Sequence, residues 1–210
     1  MPIYSLTSEL IFPPVEGAED GIVAIGGDLS PDRLMLAYGL GIFPWYSEGE
    51  PIIWWSPDPR FVLYPDKLHV SKSMKRVLAN EKFTVSFNQD FEGVISHCKK
   101  VYRRGQLGTW ITDEMRQAYI QLYKMGYARS VEVWMAGELV GGMYGVDLGH
   151  IFCGESMFSL VSNASKVALI YFMEDFQARG GLLLDCQVHS DHLASLGAEE
   201  IERGTFLNML

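Results

Sequence analysis

The sequence predicts a mixed α/β (α+β) fold, with a small N-terminal domain over residues 1–60 and a larger domain over 61–210. Three observations carry this expectation. Strand-like segments separated by turn signals fill residues 130–158, and a helix-like and a further strand-like segment follow them, as in a mixed sheet with helical cover. Residues 1–60 are instead dense in Pro and Gly. The length of 210 residues suits one domain with a small companion and can bury a core without staples.

The elements follow in chain order. "GGDLSPDRLMLAYGLG" reads as a short helix with Ser30 as N-cap, Pro31 at its first position and Gly39 or Gly41 past its end. "IFPWYSEGEPIIWWSPDPR" is too rich in Pro for a regular strand, and its aromatic residues suit a small core or a cleft wall. Residues 71–79 have helical spacing, "FTVSF" alternates like a strand and "FEGVISHCKKVY" is helical again. "TDEMRQAYIQLYKMG" opens with Thr112 as N-cap and two acids in its first turn, and closes at Gly126. Three strands should follow, with turns at Ala136–Gly137 and Leu148–Gly149. "SNASKVALIYFMEDFQARGG" predicts a helix capped near Ser162 and ended by Gly180–Gly181, with Ala168, Phe172 and Phe176 on one face. "LLLDCQV" predicts a strand, and a last short helix begins near Asp191.

Composition and charge exclude several classes. No run of about 18 apolar residues suggests a membrane span, and "MPIYSLTSEL" lacks the basic and apolar regions of a signal peptide. Three widely spaced cysteines, Cys98, Cys153 and Cys186, fit a reducing cytoplasm better than a disulfide framework. The net charge of −9 is unevenly spread: −7 over residues 1–60, +6 over 61–130 and −8 over 131–210. A basic middle between acidic ends attracts a polyanion locally. Its densest runs hold Lys99, Lys100, Arg103 and Arg104, and Lys72, Lys75 and Arg76; a solvated helix face is the bland alternative.

The richest stretch for chemistry is "LLLDCQVHSDHLASLGA". On a strand, Leu183, Asp185 and Gln187 share one face while Leu184 and Cys186 share the other. Cys186 therefore reads as a buried small hydrophobe. No CxxC or HExxH spacing accompanies His189 and His192, so no metal is expected. Asp185 would orient the side-chain amide of Gln187, whose carbonyl oxygen would face a cleft. Glu155, in the apolar run "FCGESMFS", needs a partner if buried. Gly141, Gly142 and Gly145 in "LVGGMYG" mark a bulge or the close approach of a ligand.

Nine segments, "GGDLSPDRL", "GIFPWYS", "WWSPDPR", "GTWIT", "LVGGMYG", "FCGESMFS", "NASK", "DCQV" and "DHLASLGA", stand in one order along almost the whole chain. In these the sequence resembles the leucyl/phenylalanyl-tRNA–protein transferases. The resemblance implies a small N-terminal domain on an acetyltransferase-like (GNAT-like) mixed sheet. It implies transfer of Leu or Phe, and also Met, from aminoacyl-tRNA to the N-terminal amine of proteins beginning with Arg or Lys, marking them for N-degron proteolysis. No cofactor is implied, the expected location is cytoplasmic and the default state is a monomer. By the same resemblance Asp185 and Gln187 fit the hydrogen-bonded catalytic pair, with the choice of proton acceptor between them left open. Met143, Phe152, Met157, Phe172 and Phe176 fit the pocket for the amino-acid side chain, and Glu155 fits a polar contact to substrate. Trp110 fits a stacking platform for the terminal adenosine with Tyr119 near it, and Tyr38, Phe43 and Trp45 fit an aromatic wall. The basic runs fit the tRNA backbone. The CoA-binding Q-x-x-G-x-G/A loop is absent, which counts against a rival acyl-CoA N-acyltransferase; a non-enzymatic RNA-binding adaptor is the other rival.

Overall fold

The computed structural model describes residues 3–100 and 111–210. In chain order these form β1 (Tyr4–Leu6), β2 (Ile22–Gly26), α1 (Pro31–Gly39), β3 (Phe43–Pro44), β4 (Ile53–Trp55), β5 (Arg60–Leu63), α2 (Lys72–Ala79), β6 (Thr84–Phe87), α3 (Phe91–Lys100), α4 (Asp113–Lys124), β7 (Ala128–Met135), β8 (Glu138–Asp147), β9 (Ile151–Ser159), α5 (Ala164–Ala178), β10 (Leu183–Gln187), α6 (Asp191–Ala194), β11 (Glu199–Ile201) and α7 (Arg203–Leu207). The fold is mixed α/β. Among the described residues, no helix is long and apolar enough to cross a membrane.

Two sheets organise the chain. The N-terminal sheet has the order β1-β2-β4-β3, and the large sheet the order β11-β5-β10-β9-β8-β7-β6. The Pro-rich stretch 42–60 does form strands, contrary to expectation, but β3 and β4 are only two and three residues long. Short strands on a small sheet tolerate Pro because few ladder bonds are lost. The indole Nε1 of Trp54 donates to the Gly26 carbonyl at 2.8 Å, and the residue is fully enclosed. β5 begins at Arg60 and already belongs to the large sheet.

In the large sheet β7, β8 and β9 form an antiparallel meander with long ladders. Their turns fall at Ala136–Gly137, where both residues have positive φ, and at Gly149. Ser71 and Thr112 cap α2 and α4 by accepting from Met74 and Met115 backbone N–H. α5 starts at Asn163 in a left-handed conformation rather than at Ser162, and Gly180 supplies the positive φ after its end.

Alternation along the strands gives the sheet two apolar faces. Tyr144, Cys153 and Leu183 join a core with α3, α4 and the N-terminal unit. Met143, Phe152 and Leu184 join one with α5 and Met74 of α2. The glycines of β8 make these close approaches. A Cβ on Gly141 would meet Ala164 at 2.5 Å, and one on Gly145 would meet the Cys153 carbonyl at 2.1 Å. Protein packing accounts for them, and the register of β8 on β9 shifts between Tyr144 and Gly145, the bulge expected of this glycine run.

Candidate active site

The site lies where two parallel strands part. β10 pairs with β9 from Leu183↔Ile151 to Asp185↔Cys153. Beyond that point β9 continues to Ser159 on the β8 side alone, and β10 stays with β5. The gap is a cleft of about 420 Å³ whose lining includes Phe43, Trp45, Met143, Glu155, Met157 and Gln187. Leu184, Cys186, His189 and His192 complete much of the remainder.

β10 does not hold its two-residue period to the end. The register slips between Asp185 and Gln187, and Gln187 takes φ +62°. This left-handed turn carries Gln187 to the cleft, where it stands with Leu184 and Cys186. Positive φ at a non-Gly residue is costly and persists only where its surroundings hold it. Two contacts hold it: the Gln187 backbone N–H donates to Asp185 Oδ1 at 3.0 Å, and the Val188 N–H closes the turn on the Cys186 carbonyl at 2.8 Å.

Asp185 is fully buried and bound to Arg60, itself 1% exposed. Arg60 Nε donates to Oδ1 at 2.8 Å and Nη2 to Oδ2 at 2.6 Å. Nη1 reaches the Gly41 carbonyl at 3.0 Å, and the guanidinium lies against the rings of Phe43 and Phe206. One expectation is thereby corrected. Asp185 steers the main chain of Gln187 rather than its side-chain amide, and both its oxygens are committed to a guanidinium.

Glu155 holds the amide instead. Gln187 Nε2 donates to Glu155 Oε1 at 3.2 Å. The Tyr38 hydroxyl donates to the same oxygen at 2.7 Å and the Tyr119 hydroxyl to Oε2 at 3.0 Å, while the two hydroxyls also contact each other. Burial raises the Glu155 carboxyl from 4.5 to about 7; the tyrosine hydrogen bonds oppose that rise, nearby Asp185 adds to it and Arg60 offsets it. Burial also pushes the phenols of Tyr38 and Tyr119 well above their ordinary range, so both stay donors.

The structure separates the other expected residues. Phe43, Trp45, Met143 and Met157 line the cleft. Phe152, Phe172 and Phe176 pack on one another in the core instead of on its wall, with ring centroids 4.3–6.3 Å apart. Tyr38 and Tyr119 are buried to the hydroxyl and offer no open ring face, because α1 and α4 turn them toward the sheet. Cys186 is buried, and burial pushes its thiol up; His189 is exposed and lies against Phe61. Lys72, Lys75 and Arg76 are exposed on α2. Lys99 pairs with Asp113 at 2.5 Å and, with the exposed Lys100, ends α3 on the opposite face of the sheet. Arg103, Arg104 and Trp110 lie outside the described residues. Among the described residues, no group of three or more His, Cys, Asp and Glu could hold a metal ion. The residue that sequence reasoning missed is Arg60. A charge opening the apolar run "RFVLY" is a signal that could have found it, since a buried cation needs a buried partner.

Comparison with known proteins points one way. The family model described as "Leucyl/phenylalanyl-tRNA protein transferase" matches residues 62–210, and that of the same family's N-terminal domain matches 27–58. A leucyl/phenylalanyl-tRNA–protein transferase of Flavobacterium johnsoniae is 56% identical, covering 99% of each chain. Those of Myxococcus xanthus and Escherichia coli O157:H7 are 55% and 54% identical, covering 100% and 96% of this chain and 91% and 86% of theirs. A solved GCN5-related N-acetyltransferase from Kribbella flavida aligns with a TM-score of 0.41 at 13% identity, covering 81% of this chain and 60% of that one, a likeness too loose to carry an argument. With more than half of all positions identical across essentially its whole length, and both family models matched, the chain belongs to the leucyl/phenylalanyl-tRNA–protein transferase family.

Proposed function

We propose that this protein moves leucine or phenylalanine, and also methionine, from aminoacyl-tRNA to the N-terminal α-amine of proteins that begin with Arg or Lys. It does so as a monomer in the cytoplasm, supplying an N-degron pathway. The observation that carries the reading is the juxtaposition at the parted strands. An apolar wall with Met143 and Met157 meets the Gln187 carboxamide and the Glu155 carboxyl in one cleft.

The donor ester is already activated, so aminolysis needs placement and proton transfer rather than ATP. The amine nitrogen attacks the ester carbonyl, the N–C bond forms, the C–O bond to the ribose breaks, and one proton passes from nitrogen to the released ribose oxygen. Holding both substrates in line lowers the barrier by about 7–11 kcal/mol in favourable cases. An α-amine titrates at about 7.7–8.0, so part of it is neutral near pH 7 without a strong base. With its Nε2 donating to Glu155, Gln187 offers its amide oxygen to hold the attacking amine. Glu155, raised to about 7, is a carboxyl of this site that changes charge near neutrality. Two methionines make an adaptable wall that takes branched, planar and thioether side chains. The exposed cations of α2, Lys72, Lys75 and Arg76, would contact the tRNA backbone without reading sequence.

The test is transfer of labelled leucine from charged tRNA to a peptide starting with Arg and to one starting with Ala. Transfer to the Arg peptide alone is expected. Under the same conditions Asp185→Ala and Gln187→Ala should lower kcat far more than they weaken donor binding. No transfer by the unaltered protein, or near-normal single-turnover rates in both variants, would overturn the reading.

A further inference from the structure

Arg60 does more than neutralise a buried carboxylate. Its fork occupies both Asp185 oxygens, and Asp185 Oδ1 in turn holds the backbone N–H of Gln187 in its left-handed turn. Its remaining nitrogen holds the carbonyl of Gly41, two residues before Phe43 in the cleft wall. The ring of Phe206, from the C-terminal helix α7, covers the guanidinium at 4.5 Å. One side chain thus sets the chain on both sides of the cleft.

We infer that Arg60 is a positioning residue for the transfer reaction, fixing the Gln187 carboxamide through Asp185 and the Phe43 wall through Gly41. The inference rests on the proposed function. A buried ion pair is a weak source of stability compared with apolar packing, whereas a planar bidentate fork supplies definite geometry. Lysine would restore the charge but cannot make the fork and reach Gly41 together.

The experiment measures kcat and KM for aminoacyl-tRNA with an Arg-starting peptide, alongside thermal unfolding, for the unaltered protein, Arg60→Lys and Arg60→Ala. Misplacement by about 1 Å costs on the order of 100-fold, so Arg60→Lys should lose roughly 10- to 100-fold in kcat. Its KM should rise by a smaller factor than its kcat falls, within about threefold, because loosening the Phe43 wall weakens donor binding less than losing the Gln187 placement slows transfer. Low-millimolar guanidinium, against sodium chloride at equal ionic strength, should restore kcat to Arg60→Ala and leave Gln187→Ala inactive. If Arg60→Ala does not fold, the Arg60→Lys split between kcat and KM decides. Full kcat in Arg60→Lys while Asp185→Ala is impaired overturns the inference and leaves the proposed function standing. So does a loss in both Arg60 variants that follows only the folded fraction, with no rescue. An unaltered protein that transfers nothing overturns the proposed function itself.

Discussion

Replacing Glu155 by Gln should make the protein more stable at alkaline pH than the unaltered chain, although it removes a residue of the cleft. Glu155 titrates at about 7 when folded against an ordinary 4.5, because burial disfavours its charge. Below pH 4.5 the carboxyl is neutral in both states and adds no pH dependence. As pH rises from 4.5 to about 7 the unfolded chain releases its proton and the folded chain keeps it, so the unfolded state gains. At about 1.4 kcal/mol per pH unit, that interval is worth about 3 kcal/mol, fully lost by about pH 8. The carboxamide of the Glu155→Gln variant cannot ionise; it keeps an oxygen for the tyrosine hydroxyls and gains a nitrogen that donates. Urea unfolding of both proteins at pH 5 and pH 8 reads the effect. The stability of the variant minus that of the unaltered chain should grow by about 2.5 kcal/mol between pH 5 and pH 8, or about 5–10 °C in melting temperature for a chain of this size. A difference that is the same at both pH values would refute the assignment of a raised titration to Glu155.

Gln187→Gly should be more stable than Gln187→Ala by about 1 kcal/mol, since glycine meets no penalty at φ +62°; both should lose transfer, as denaturant titration beside a single-turnover assay will show. Gly145→Ala should destabilise by about 1–3 kcal/mol, measured by urea midpoint, because its Cβ would fall 2.1 Å from the Cys153 carbonyl and 2.5 Å from the Phe152 ring. Changing Lys72, Lys75 and Arg76 together to Gln should weaken tRNA binding and reduce the slope of log affinity against log salt by up to about 2–3. An unchanged slope would remove α2 from the tRNA surface.

Most of the regular elements were legible because they are locally coded. Ser71 and Thr112 are caps, Ala136–Gly137 and Gly149 are turns, and the helical spacing of residues 164–178 is plain in the chain. The short strands were not. β1, β2 and β11 are three to five residues long, and their pairing depends on partners remote in sequence. β3 and β4 were hidden by the prolines in and beside them, Pro44 and Pro51. At the site, Asp185, Gln187, Glu155, Met143 and Met157 were all named from the sequence, but not their connections. Strand alternation put Gln187 beside Asp185, and a register slip undid it.

The sequence by itself determined the mixed α/β class, the order of helices as far as α6 and of the meander strands, and a resemblance strong enough to propose the chemistry; α7, the helix beyond the expected last one, was not read from it. Those properties reside in side-chain period, capping and turn residues, and in short motifs read one after another. Only the tertiary structure decided that Arg60 grips Asp185 across 125 positions of chain, that two tyrosines from separate helices hold Glu155, and that three of the expected pocket phenylalanines belong to the core. These follow from which strands lie side by side and where β9 and β10 part. Burial then sets the cost of every unpaired charge, and that cost selects the partners, whatever their distance along the chain.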